Sequence, residues 1–448
     1  MGISSFMGIE TALRGILAQQ QALDITAHNI GNAGTVGYTR QKADLVATQP
    51  FDTGKGLLGT GVDISSYQRV RDSFLDIQVR AQTMRSGYSN ARQSALKQVE
   101  GALAEPGDNG LNTLLNRYWS SWQDVANAPE NTATRQALVQ NASSVAAGFS
   151  SVATQIGVAT TQTGLAVTDT LAQVNSMGDK IAKLNTAIAS QKALGNTSND
   201  LLDQRDVLID QLSKLGNIAW TEQPSGAVDV TIGGGALVSG VTATTLVESS
   251  LTSLTSGKLA ALVELRDTTL PGYLTSLNAV AKQLADKVNA QHALGYDIAT
   301  GAAGGPFFTY TGGSEATTLA VSGAITANPL LIATSDTAPG TATGKAGNSG
   351  NAIAIAGLRG DTAIDGAYVQ LVNKIGADSQ ESRRELDNAN TLTTALENRR
   401  QSVSGVSLDE EMTNLIKFQR GFQASSRALN VMDDMLDLLI TRTGRAGL

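Results

Sequence analysis

A mainly helical protein with β-rich insertions is predicted, its N- and C-terminal helices pairing as a coiled coil, with a long helical-bundle middle domain and an outer β-rich domain. Three observations predict this. Apolar side chains recur three and four residues apart near both ends, a succession of segments with helical period lies between them, and two stretches break that period.

The first segment carries Phe6, Ile9, Leu13, Ile16, Leu23, Ala27 and Ile30 in steps of three and four, with Gln20 filling the one gap. This is a heptad stripe, and a single polar residue on it can fix register at some cost in stability. NIGNAGTVGYTRQ follows, residues 29–41. Its glycines come after a helix rather than between a strand and a helix, so it reads as a helix stop and not as a phosphate loop. Gly31 with Asn32 is expected to supply the left-handed conformations that end the helix, with Gly34 and Gly37 continuing the irregular path.

The other end mirrors this one. Ser407 and Glu410 form a capping-box pattern ahead of a stripe of Leu415, Phe422, Leu429, Met432, Leu436 and Leu439, on which Gln419 takes the place that Gln20 has on the first. Two matching stripes predict a pair.

Between them, helices fit residues 90–104, 111–126, 132–160, 166–194, 199–215 and 270–292, and a further one runs from about Ala367 to Gln401 until the SVSG turn at 402–405. In AVDVTIGGGALVSG, Val228, Val230 and Ile232 alternate with polar positions before a glycine turn, which predicts a hairpin. Residues 301–358 hold only Glu315, Asp336 and Lys345 as charges, and their composition suits a β-rich insertion and a flexible excursion equally. The expected division is therefore a terminal coiled-coil assembly domain of 1–40 with 403–448 and an extended, irregular linker at 41–90. A helical domain takes 91–215, 259–295 and 359–402, and β-rich outer insertions take 216–258 and 296–358.

Composition narrows the function. The net charge of −7 comes with no basic cluster, which argues against nucleic acid or an anionic membrane as partner. No stretch approaches the roughly twenty apolar residues that span a bilayer. With no cysteine, disulfides, thiol catalysis and cysteine metal sites are excluded. Glu10, Arg14 and Asp24 within the first thirty residues predict that no cleavable signal peptide is present.

No catalytic, metal or cofactor site is expected. The two histidines, His28 and His292, each fall near the C-terminal end of a predicted helix, where partial positive charge is favourable, and no metal-ligand spacing surrounds them. The acidic groups at 409–411 and at 433, 434 and 437 read as solvated faces rather than a carboxylate pair for glycoside hydrolysis. Trp119 and Trp122, three apart on one helix face, read as core.

Five stretches carry a family resemblance. NIGNAGTVGYTRQ resembles the pattern of flagellar rod and hook proteins, with Asn29, Asn32, Thr35, Gly37, Tyr38 and Arg40 at matching positions, and SLDEEMTNLIKFQRGFQASSRALNVMDDML is similar to the pattern shared by the axial proteins. WSSWQDVANAPENTATRQ, DLLDQRDVLIDQLSKLGNI and VNAQHALGYDIATGAAGGPFF resemble segments of the flagellar hook-associated protein 1 family, the hook-filament junction proteins of bacteria. Gly34 stands where the family often has Asn and Val36 where it often has Pro, which loosens the turn.

The resemblance implies a non-enzymatic structural subunit of the flagellum, extracellular and exported without a cleaved signal peptide. Its terminal helices would line the inner tube and pack with those of successive subunits in a helical lattice. Assembly contacts are then expected at Phe6, Ile9, Leu13, Ile16, Gln20, Leu23 and Ile30, and at Leu415, Gln419, Phe422, Leu429, Met432, Leu436 and Leu439. The C-terminal stripe is also the expected binding site of an export chaperone. The implied partners are further copies in a ring, hook protein, hook-associated protein 3 and the flagellar type III export apparatus, with no nucleic acid and no membrane. Hook-associated protein 3 itself, a hook or rod protein, and a flagellum-borne wall hydrolase are the competing readings.

Overall fold

The computed structural model describes residues 6–52, 54–108, 110–338 and 347–443. In chain order the elements are α1 (Met7–Gly31), β1 (Gln41–Ala47), β2 (Phe51–Asp52), β3 (Leu57–Leu58), β4 (Val62–Arg69), α2 (Ser73–Leu103), α3 (Leu111–Asn127), α4 (Thr132–Ala193) and α5 (Asn199–Leu215). A meander follows, β5 (Ile218–Glu222), β6 (Val228–Ile232), β7 (Gly235–Ser239) and β8 (Thr242–Ala243), and then α6 (Gly257–Glu264) and α7 (Leu270–His292). After these come β9 (Phe308–Thr309), α8 (Glu315–Thr318), β10 (Ala320–Val321), α9 (Gly323–Ala327), α10 (Gly350–Ala356), α11 (Ala367–Ser404) and α12 (Leu408–Thr443). The chain forms two compact units, one of Met1–Arg85, Ala172–Thr255 and Ala389–Leu448, the other of Ser86–Leu171 and Ser256–Asn388. This division cuts through α2, α4 and α11 and groups 216–255 with the terminal residues, unlike the one expected from sequence.

In the terminal unit α1 lies along α12, and small residues set the approach. A Cβ added at Gly8 would sit 3.0 Å from the Met432 side chain, one at Gly15 2.9 Å from Ser425 Oγ, and one at Gly421 2.8 Å from the Gln19 side chain. Ala12, Gly15, Ala18, Ala22, Thr26 and Asn29 are buried. The helix turns about 100° per residue, so Phe6 and Leu13 stand on nearly the opposite side from Gly8 and Gly15. The apolar stripe of α1 is therefore not the face turned to α12. Phe6 is 65% exposed and Leu13 45%. Gln20 is also exposed, while Ile9, Ile16, Leu23 and Ile30 are half-buried. On α12, Leu415, Phe422, Leu429, Met432 and Leu436 are half-buried, whereas Gln419 and Leu439 are exposed.

Residues 41–69 are not an irregular linker. β1 and β4 pair antiparallel from Gln41 with Arg69 to Ala47 with Val62, β2 pairs with β3, and α2 begins at Ser73. A partner strand some twenty residues away supplies the order, and no local period announces it. In the meander, Val228, Val230 and Ile232 are buried. Gly233 and Gly234, at φ +55° and +85°, make the turn into β7 with two positive angles that other residues resist.

The other unit is built on α3, the first part of α4, α6, α7, α10 and the first part of α11. Its core gathers Tyr118, Trp119, Trp122, Phe307 and Phe308, with ring centroids 4.8–6.5 Å apart. Residues 132–193 form one helix where two were expected. The TTQTG sequence holds no proline, its glycine costs only about 1 kcal/mol, and Thr160, Thr161 and Thr163 donate to carbonyls four residues back. Likewise α6 runs into α7 through a wide turn, Leu265–Thr269, that admits Pro271 without breaking the helix.

Residues 296–358 are not β-rich where described. Their strands are the short pair β9 and β10, and residues 339–346 lie outside the described residues. Side chains replace a strand ladder in satisfying this backbone. Asn289 Oδ1 accepts from the Phe307 and Phe308 amides, and Arg135 donates to the carbonyls of Pro129, Pro329 and Ile332 and to Thr334 Oγ1. His292 ends α7 fully buried, and burial lowers its pKa from 6.5 to about 4. It is neutral, so the charge expected at this helix end is not carried there.

Candidate functional site

Most of the polar order in the terminal unit gathers where α1 ends. The Asn32 amide and side chain both donate to the His28 carbonyl, the Thr35 amide donates to the Asn32 carbonyl, and Thr35 Oγ1 donates to Asn32 Oδ1 at 3.1 Å. Asn32 has φ −104°, and the left-handed residue of the turn is Gly37 at φ +78°, not Gly31 or Asn32. A Cβ at Gly37 would lie 2.0 Å from Val207 Cγ2 on α5. Gly37→Ala is thus expected to destabilise the unit by roughly 1–3 kcal/mol through strain and contact together, and Val207→Ala should restore part of the loss. Urea midpoints of the two single variants and the double variant check this.

Asn29 uses all of its hydrogen-bonding capacity here. Oδ1 accepts from the Gln41 amide at 2.9 Å and the Tyr38 hydroxyl at 2.8 Å, while Nδ2 donates to the Gln41 carbonyl at 2.8 Å and Glu411 Oε2 at 3.1 Å. Arg40 completes the link to α12, donating from Nε to Glu411 Oε1 at 2.7 Å and from Nη1 to Glu410 Oε2 at 2.6 Å. The Glu411 side chain is only 2% exposed, so it is not on the solvated face expected for residues 409–411. Glu410 turns to Arg40, and its amide is a long 3.5 Å from Ser407 Oγ. The Tyr38 hydroxyl is held well above its usual pKa, by burial first and then by Asp200, Asp203 and Glu411, so it stays a donor.

A ladder of carboxylates on α5 continues the clasp. Asp200 accepts from Gln41 Nε2, and Asp203 from the Thr39 amide and Arg69, each at 2.8 Å. Asp206 binds Arg69, Arg71 and Arg80. Asp210 binds Arg80 and Arg400, each at 2.6 Å. The Arg80 guanidinium also lies 4.4 Å over the Trp220 ring, which ties the meander to the ladder. Burial alone would raise the Asp206 pKa, but Arg71, Arg69 and Arg80 outweigh it and hold the carboxyl below the usual carboxylate range. Arg400 is half-buried, and Asp210 and Glu397 keep it charged above its usual range.

Of the residues singled out in the sequence, Asn29, Tyr38 and Arg40 meet in one network. Asn32, Thr35 and Gly37 close the turn beside it, and the stripes of α1 and α12 run away from it along the helices. Glu411, the ladder on α5, and Arg69, Arg71, Arg80 and Arg400 are functional residues that no motif had singled out as such. For the ladder a signal was present in DLLDQRDVLID, where aspartates fall at 200, 203, 206 and 210, steps of three and four that mark one helix face. Among the described residues no three His, Asp or Glu side chains converge to hold a metal ion, and no helix is long and apolar enough to cross a membrane.

The family profile for the flagellar hook-associated protein FlgK helical domain matches residues 96–251 and 247–308. A flagella basal body rod protein profile matches residues 9–39, and one for the C-terminal part of the flagellar basal body rod FlgEFG proteins matches 388–442. Flagellar hook-associated protein 1 of Bacillus subtilis (strain 168) is 32% identical over 99% of both chains. Its counterpart in Escherichia coli (strain K12) is 25% identical over 96% of this chain and 99% of its own. The flagellar hook junction protein FlgK from Burkholderia pseudomallei shares the fold, with a TM-score of 0.61 at 19% identity over 73% of this chain and 100% of that one. The profile that takes in the helical interior and the end-to-end identity to the Bacillus protein together show that this chain belongs to the flagellar hook-associated protein 1 family.

Proposed function

We propose that the chain is a structural, non-enzymatic subunit of the flagellum that joins hook to filament, its terminal helices packing with those of neighbouring copies in a helical lattice. One observation carries the lattice reading. The helix pair joins through a small-residue face and a polar clasp, leaving Phe6, Leu13 and Leu17 on α1 and Met412, Ile416, Val431 and Met435 on α12 exposed. Apolar surface of this extent on one helix pair is costly in water and is relieved by partners. Neighbouring copies offer the same stripes, and a ring closes when each copy presents one surface to the next.

Hook protein on one side and hook-associated protein 3 on the other then take the two ends of the ring. Before assembly, an export chaperone covers the α12 stripe, including Leu429, Met432, Leu436 and Leu439, and the type III apparatus carries the chain outside the cell. The family and the rod-protein profiles at both ends support this reading. Purified full-length protein, and a version lacking 1–40 and 403–448, added to isolated hooks and viewed by electron microscopy, test it. Capping by the full-length protein alone is the expected result. Equal capping by the truncated version overturns it.

A further inference from the structure

His292 bonds two loops to the end of α7. The second is also held by α10, whose Asn351 and Ala352 amides donate to the Thr334 carbonyl and whose Asn351 Nδ2 donates to the Ala333 carbonyl. On the ring, Nδ1 donates to the Gly305 carbonyl at 2.6 Å, while Nε2 accepts from the Ala333 amide at 2.8 Å. These bonds demand the neutral ring with its proton on Nδ1. The imidazole packs against Trp122 and Phe307, with centroids 6.5 and 5.7 Å away. A Cβ at Gly304 would come within 2.6 Å of Nδ1, so the glycine lets the loop close onto the ring. Arg135 also holds the 332–334 loop, donating to the Ile332 carbonyl and Thr334 Oγ1.

We infer that His292 is an acid-sensitive latch, its protonation releasing the 304–305 and 332–334 loops from the end of α7. A proton on Nε2 would set two donors, Nε2–H and the Ala333 amide, against each other and place a cation in an apolar pocket. Of the charged groups acting on the ring, Arg135 from α4 opposes the imidazolium and Asp297 from the loop after α7 favours it. Asp297 is already engaged by the Thr300 amide and hydroxyl and the Gly301 amide.

The sign is set by the two states. The open form gains its proton below the ordinary histidine value of 6.5, whereas burial in the closed form delays protonation to about pH 4. Closure is therefore fully stable above pH 6.5 and weakens as pH falls from 6.5 to 4. Between pH 7 and pH 5 these values correspond to a roughly 20-fold loss of closing equilibrium.

The test uses the full-length protein and needs no variant for its first arm. The chain has two histidines, so ring-labelled NMR gives two resonances to follow. Amide exchange by mass spectrometry, corrected for the intrinsic pH dependence, reads peptides within 293–338. One histidine titrating near pH 4–5, with protection in these peptides falling roughly 20-fold from pH 7 to pH 5, is the expected result. His292→Phe, which fills the pocket and takes no proton, should show the same protection at both pH values. Ordinary titration by both histidines overturns the latch, as does unchanged protection in the native protein. An equal acid loss in His292→Phe also overturns it, because the proton would then act elsewhere.

Discussion

Asp206→Ala is expected to lower the stability of the terminal unit by about 1.5–3 kcal/mol, the cost of removing the carboxylate that three largely buried guanidinium groups share. Three guanidinium groups converge on this carboxylate, and those of Arg69, Arg71 and Arg80 are no more than 17% exposed. With Asp206 gone they face one another with only Asp76, Asp203 and Asp210 left to neutralise them. Urea unfolding of the full-length protein, followed by a probe in the terminal unit, measures the loss. Asp433→Ala, at an exposed position of α12, should change it by no more than about 0.5 kcal/mol. A loss below 1 kcal/mol for Asp206→Ala would show that the ladder is decoration.

The same variant carries a pH signature. Because the folded Asp206 carboxyl lies below its usual range, its contribution is complete above about pH 4 and is lost as pH falls below that toward the folded value. The gap between native and variant proteins should therefore narrow in acid and stay constant between pH 6 and pH 8.

Leu13→Asp is expected to abolish hook capping while leaving the isolated chain folded. The side chain is exposed in the free chain, so the substitution there costs no more than about 0.5 kcal/mol. In a lattice that buries the α1 stripe, it would leave an unpaired ion in a packed contact, at a cost of several kcal/mol. Leu429→Asp makes the contrast. Leu429 is half-buried within the helix pair, so a charge there should weaken the pairing of α1 with α12 as well as the assembly. Thermal unfolding by circular dichroism separates the two variants, and complementation of motility reads the outcome. Normal motility with Leu13→Asp would refute the assembly role of the α1 stripe.

The helices were legible in sequence because their apolar positions repeat within a single element. Both terminal helices, α3, α5, α7 and the body of α11 follow from such repeats, and so does the hairpin at the glycine pair. The turn motif was also visible, since Asn29, Tyr38 and Arg40 lie within twelve residues of one another. Its partners were not. Glu411 is 382 residues from Asn29, and nothing local distinguishes a carboxylate that meets Arg40 from the exposed Asp409 two positions before it.

The sequence by itself determined where α1, α3, α5, α7 and α12 run, that a turn follows α1, and which apolar stripes the terminal helices carry, because each depends on neighbours a few residues away. Only the tertiary structure decided which face of α1 meets α12. Close approach selects the small residues Gly8 and Gly15 over the larger apolar ones, and a stripe of leucine and isoleucine cannot reveal that choice. It also decided that Asp200, Asp203, Asp206 and Asp210 form a clasp rather than a solvated face, since a helix displays its charges in the same pattern whether water or guanidinium groups lie opposite. It decided as well that His292 is neutral, because burial by Trp122, Phe307 and two distant loops outweighs the favourable charge at a helix end.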